Sequence, residues 1–162
     1  MPWGTQSVGL ILALLLGHSL THGQTTLSRA QGQRLYLPIY SHIWHGDVHK
    51  NGQPMKTPVS VAVSIRNTDP VQPIRVMSAT YFDTDGRKIR EYVGSPKVVG
   101  PMATHELFVP LSDDEGGSGA NFVITWKSDQ EASQPLVQAI HANLPAGRSI
   151  VFTSAAYVLP AN

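Results

Sequence analysis

Three histidines and an aspartate fall within ten residues of the sequence, in the segment SHIWHGDVHK at Ser41–Lys50. Imidazole and carboxylate groups together favour divalent first-row metals such as zinc or copper. In an extended segment His45, Asp47 and His49 would share one face, because strand side chains alternate between the two faces. With His42 brought round by a turn, these four residues predict a Zn or Cu site.

The same residues also have a structural interpretation. A turn at Gly46–Asp47 would break the alternation and place the aspartate as a cap of that turn. His42 or His45 then packs beside Trp44, and His49 faces solvent. The sequence contains no fixed metal motif such as HExxH. The segment alone does not decide between the two interpretations.

Two further segments resemble functional motifs. The stretch DTDG at 83–86 begins like a calcium loop, but the twelfth position is Gly94 instead of the bidentate glutamate, so we predict a hairpin turn. The loop EGGSGAN at 115–121 lacks the lysine and the following helix of a phosphate-binding loop. Its glycines predict a tight loop with positive φ. The alternative interpretation is a binding edge lined by backbone groups.

A hydrolase using Asp83, Asp85 or Ser118 would need a nucleophile paired with a base, and no such pair is evident in the sequence. The segment IRNTDP predicts a corner of the fold, because Asn, Thr and Asp side chains close local hydrogen bonds to the backbone. The aromatic residues predict a core and its rim more readily than a ligand platform. They are Tyr36, Tyr40, Trp44, Tyr81 and Trp126.

Composition excludes several classes of protein. The 162 residues include no cysteine, which excludes disulfides and thiolate metal ligands. The formal charge is +1, from 12 basic and 11 acidic residues. Nucleic-acid binders cluster Lys and Arg on one face, and the densest basic clusters here are small, so we expect no nucleic-acid partner.

The N-terminus predicts export. An uncharged apolar run, Val8–Leu16, is followed by small and polar residues up to Gly23. The run is about half as long as a membrane span, and the pattern is that of a cleaved signal peptide at 1–23. We therefore expect a periplasmic or secreted protein with no transmembrane span in the mature chain. The first seven residues carry no Lys or Arg, so an uncleaved N-terminal anchor is the alternative to a cleaved signal peptide.

The rest of the chain predicts one all-β domain. After a polar, flexible lead-in at 24–33, apolar residues alternate in seven or eight runs spaced by turn residues. The clearest run is VSVAVSIRN, which places Val59, Val61, Val63 and Ile65 on one face. We predict a single antiparallel β-sandwich, immunoglobulin-like, over 34–160. Leucines and isoleucines four apart favour a short helix near 136–144 without excluding a strand.

Four blocks in order, YLPIYSHIWHGD, VSIRNTDP, YFDTDGRKIREY and GGSGANFVITW, resemble the bacterial exported family DUF3124, a domain of unknown function. The resemblance runs from about Gln33 to Val158. It implies bacterial origin, export and one small domain, with no assigned activity. His42, His45 and Asp47 fall inside a matching block, whereas His49 has no counterpart.

These observations lead to two hypotheses about function. The first is a non-enzymatic exported module that binds a protein or another component of the cell envelope, since loops of a β-sandwich often present binding surfaces. The second is a periplasmic metal-binding or metal-handling protein that uses His42, His45, Asp47 and perhaps His49.

Overall fold

The computed structural model describes Met1 and residues 28–160. Apart from Met1, the predicted signal peptide (1–23) and the start of the predicted lead-in (24–27) lie outside the described residues. The described part contains no helix and is all β. None of it forms a helix that is long and apolar enough to cross a membrane.

Twelve strands occur in the described residues, and all their pairings are antiparallel. The sequence predicted seven or eight strands, and short strands that it did not predict raise the number. The strands are β1 (Arg29–Pro38), β2 (His42–His45), β3 (Met55–Pro58), β4 (Ser60–Arg66), β5 (Ile74–Phe82), β6 (Lys88–Glu91), β7 (Lys97–Val99), β8 (Thr104–Val109), β9 (Asn121–Ser133), β10 (Leu136–Asn143), β11 (Ile150–Ala155) and β12 (Tyr157–Val158).

Two sheets form the layers of the sandwich. The first has the order β12-β1-β9-β5-β6, with β7 also paired to β5, and the second has the order β11-β10-β4-β8. Strands β2 and β3 form a separate two-stranded hairpin. The predicted antiparallel β-sandwich is therefore confirmed.

The core lies between the sheets and comes from alternate residues of both. Val59, just before β4, and Val61, Val63 and Ile65 within it are fully buried, as the sequence predicted. Burial of each such side chain contributes about 1.5–3 kcal/mol before conformational entropy is subtracted. The six-stranded sheet contributes the buried side chains Leu35, Leu37, Phe122, Ile124 and Trp126 to the same cluster.

The short helix predicted near 136–144 is wrong, because these residues form β10, which pairs with both β4 and β11. Val137 and His141 face the core, whereas Leu136 and Ile140 are exposed on the outer face. A spacing of four is even, so it also keeps residues on one face of a strand. The spacing that suggested a helix therefore fits the strand equally well.

The strand β1 begins at Arg29, so residues 29–33 of the predicted flexible lead-in are ordered in the sheet. Their partner is the end of β9, which continues to Ser133 and pairs with Arg29. The Arg29 guanidinium also donates to the Asp69 carboxylate at 3.1 Å. The extra length of β9 thus gives hydrogen-bond partners to a polar segment that has no hydrophobic pattern of its own.

The IRNTDP segment forms a corner at Asp69, in agreement with the sequence. The buried carboxylate accepts backbone hydrogen bonds from Val71 (2.9 Å), Gln72 (2.8 Å) and Ser133 (2.9 Å). These backbone donors, together with Arg29, hold the pKa of Asp69 far below its ordinary value. The aspartate thereby ties the β4–β5 connection to the end of β9.

The DTDG segment is a hairpin turn between β5 and β6. The Asp83 carboxylate accepts from the backbone of Asp85 at 2.9 Å and of Arg87 at 2.8 Å, and Gly86 has a φ of 78°. These bonds lower the pKa of Asp83. The acidic residues of this segment are therefore explained by the turn.

Candidate functional site

The histidine segment forms the β2–β3 hairpin, whose strands pair from His42–Pro58 to His45–Met55. Gly46 ends β2 with a φ of 69°, a conformation that a side chain disfavours. At the tip, His49 accepts a backbone hydrogen bond from Gly52 at 2.9 Å. Together with the β10–β11 loop at 144–149, this hairpin forms one end of the sandwich, which we call the hairpin end.

Strand alternation separates the predicted metal ligands. His42 lies beside Trp44 on one face of β2, and His45 lies on the other face. Asp47 and His49 follow the turn and are exposed. Within the described residues, no three His, Cys, Asp or Glu side chains form a group that could hold a metal ion. The Zn or Cu site at His42, His45, Asp47 and His49 stays a prediction without a supporting contact.

His42 packs as a structural residue. Its ring meets Trp44 edge-on, with 4.8 Å between centroids, and its Nδ1 lies 3.3 Å from an Asp114 carboxylate oxygen without hydrogen-bond geometry. The same carboxylate binds the Lys56 ammonium at 2.6 Å. Burial, and then the nearby Lys56 charge, lower the pKa of His42. The imidazole is therefore neutral near neutral pH, and the bonded link between the hairpin and the 110–115 loop is the Lys56–Asp114 ion pair.

The base of the hairpin rests on the glycine-rich loop. Ser41 donates its backbone N–H to Gly117 O at 2.9 Å, and its hydroxyl lies 3.1 Å from the Tyr81 hydroxyl. A Cβ on Gly116 would stand 1.9 Å from that phenolic oxygen, and Gly117 has a φ of 76°. The predicted positive φ is found at Gly117, whereas Gly116 is required by the close approach of Tyr81. Burial raises the pKa of Tyr81 to about 12, so its hydroxyl stays protonated.

A groove of about 630 Å³ lies between the two parts of the hairpin end. We call it the hairpin groove. This volume lies within the usual range of small-molecule sites, about 300–1,000 Å³. Its lining residues are Ile43, His45, Thr57 and Pro58 from the β2–β3 hairpin, and Asn143, Pro145, Arg148 and Ile150 from the β10–β11 hairpin.

The polar groups of the hairpin groove are largely engaged with one another. His45 Nε2 lies 2.7 Å from the Thr57 hydroxyl, and the Asn143 amide donates to Pro58 O at 2.8 Å. A hydroxyl beside an imidazole can be a nucleophile–base pair, but such pairs normally include a third group that orients the base. No carboxylate lines the groove to do so. The contact between the two side chains holds the ring of His45 at the groove wall.

A second groove, of about 660 Å³, runs along β1, β9 and the residues after β12. It contains none of the predicted site residues, and Pro160 at its rim is the last residue described before the C-terminus. Arg34 and Leu159 line it.

Of the residues that line the hairpin groove, the sequence pattern predicts His45 as a site residue but does not predict Thr57, Asn143 or Arg148. The available signal was PAGR at 145–148, where Gly147 has a φ of 82° and closes the connection between β10 and β11. The helical interpretation of the preceding residues concealed it. A strand at 136–144 would have placed Arg148 in the hairpin loop that follows it.

Comparisons with known proteins give a family but no activity. The family model described as protein of unknown function, DUF3124, matches residues 32–159. No curated protein matches the chain. A solved structure entitled "Crystal Structure of Thermotoga maritima 1070" is 10% identical, with a TM-score of 0.42, and the match covers 77% of this chain and 92% of that one.

Proposed function

This chain belongs to the DUF3124 family, and on that premise we propose that it is an exported, non-enzymatic binding module that holds a cell-envelope component in the hairpin groove. The proposed location is the periplasm or the extracellular space, after removal of residues 1–23. The apolar run Val8–Leu16 and the small residues that follow it support export.

The observation that carries the proposal is the hairpin groove itself. Most of its surface is apolar, and four of its eight lining residues are aliphatic or proline, namely Ile43, Pro58, Pro145 and Ile150. Concave sites of this kind, apolar with few polar groups, are the usual form of ligand pockets. The groove lies between the β2–β3 hairpin, whose base is hydrogen-bonded to the glycine-rich loop, and the β10–β11 hairpin of the second sheet.

Export is tested by fractionating bacteria that produce the full chain and sequencing the N-terminus of the recovered protein. The proposal predicts a periplasmic or secreted product that begins at Gln24. A product that keeps its leader and remains in the cytoplasmic fraction would refute export.

Binding is tested by native mass spectrometry of protein recovered from the envelope fraction. We expect a bound mass on the wild-type protein that is lost in Pro145→Trp, because indole at this exposed rim position would fill the groove. Leu159→Trp, which places the same bulk in the second groove, is the control and should keep the bound mass. Equal retention by both variants would place the ligand elsewhere and contradict the proposal.

A further inference from the structure

The ionisable residues that line the hairpin groove are all basic. Arg148 and His45 are its basic residues, and none of the lining residues is acidic. Within the described residues, the ion pairs are made by other arginines and by His42 and Lys56, and no carboxylate approaches Arg148 within 4.0 Å. An unpaired guanidinium beside apolar walls is complementary to a negatively charged group.

Each of the other polar side chains of the groove already makes a hydrogen bond within it. The Asn143 amide is engaged with Pro58 O, and His45 Nε2 with Thr57 Oγ1. An extended peptide would need several main-chain hydrogen bonds along its length. The hairpin groove instead offers aliphatic walls and one guanidinium, which fits a ligand with a single anionic group on an apolar body.

We infer that the hairpin groove binds an aliphatic carboxylic acid, with the carboxylate on the Arg148 guanidinium and the hydrocarbon chain along Ile43, Pro145 and Ile150. This inference rests on the proposed function and names the ligand class of its site. Arginine suits a carboxylate because two parallel N–H donors match its two oxygens. The apolar walls would then bind the chain by removing it from water.

The test is isothermal titration of the purified protein with decanoate, 1-decanol, decyltrimethylammonium and a short peptide ending in Leu-Val. We expect decanoate to bind, and the alcohol and the cation to bind at least about tenfold more weakly, because each lacks the paired anionic group. Arg148→Gln should weaken decanoate binding about tenfold, and Arg148→Lys should weaken it less. Arg34→Gln, which removes the same charge from the second groove, should leave the affinity unchanged.

Each contrary result overturns a defined part of the inference. Equal binding of decanoate and decanol, or an unchanged affinity in Arg148→Gln, would refute the role of charge. Preferential binding of the peptide would assign the carboxylate to a protein C-terminus instead. No binding of decanoate would refute the ligand class, whereas the proposed function fails separately if Pro145→Trp keeps the bound mass in the envelope experiment.

Discussion

Acidification should destabilise this protein through His141, the buried histidine of β10. Its ring is fully buried, stacks on Phe152 with 4.4 Å between centroids, and accepts the Tyr40 backbone N–H at Nε2 (3.2 Å). No carboxylate hydrogen-bonds or pairs with the ring in the described part of the chain. Burial lowers the pKa of His141 from 6.5 to about 4. The ring is therefore neutral in the fold down to acidic pH.

The pKa shift sets the sign and size of the effect. Between the unfolded and folded pKa values, the unfolded chain binds the proton that the folded chain excludes, so the free energy of unfolding decreases as pH falls. From the two pKa values, the decrease due to His141 is about 2 kcal/mol at about pH 5 and about 3 kcal/mol at about pH 4. The lowered pKa of His42 acts in the same direction.

The assay is urea unfolding at about pH 7 and about pH 5, for the wild type and His141→Gln. Glutamine can place an acceptor near the Nε2 position for the Tyr40 N–H, but it does not titrate. The variant should therefore be less stable than the wild type at pH 7. On acidification to about pH 5, its free energy of unfolding should decrease by about 2 kcal/mol less than that of the wild type. His49→Gln makes the same change at the exposed tip and should keep the wild-type dependence on pH. An identical pH dependence in His141→Gln and the wild type would refute the reasoning.

Three further predictions concern the elements that hold the hairpin end and the corner. Gly116→Ala should lower the free energy of unfolding by about 1–3 kcal/mol, because its Cβ would meet the Tyr81 hydroxyl at 1.9 Å. Gly94→Ala, where a Cβ meets nothing within 4 Å, should change little in the same urea assay, and equal effects would contradict the clash. Asp69→Asn should lower the melting temperature at neutral pH, because an amide cannot accept every backbone hydrogen bond that the carboxylate accepts; an unchanged melting temperature would show that the corner holds without it. Asp114→Asn should speed amide hydrogen exchange in β2 and β3 and leave β4 unchanged, because the carboxylate pairs with the hairpin. Unchanged exchange in the hairpin would show that packing alone holds it.

The local pattern of apolar residues in the sequence is sufficient to predict the β-sandwich but not the hairpin groove. Strand β4 alternates over seven residues with one face buried, so its apolar period identified both its structure and its core face. The β2–β3 hairpin has only four residues per strand and a loop at 46–54, too short a pattern to be recognised. The hairpin groove brings residues of the 43–58 segment beside residues 143–150, and this proximity follows from the pairing of β10 with β4. No single segment carries that information.

The pairing of β1 has a consequence for the order in which the sheet is built. Both of its neighbours, β9 and β12, come from the last third of the sequence. A chain emerging from the ribosome therefore exposes β1 without a partner until residues 121–133 have been translated. Contacts between such distant segments slow folding. The six-stranded sheet can therefore be completed only after residues 157–158 of β12 have been synthesised.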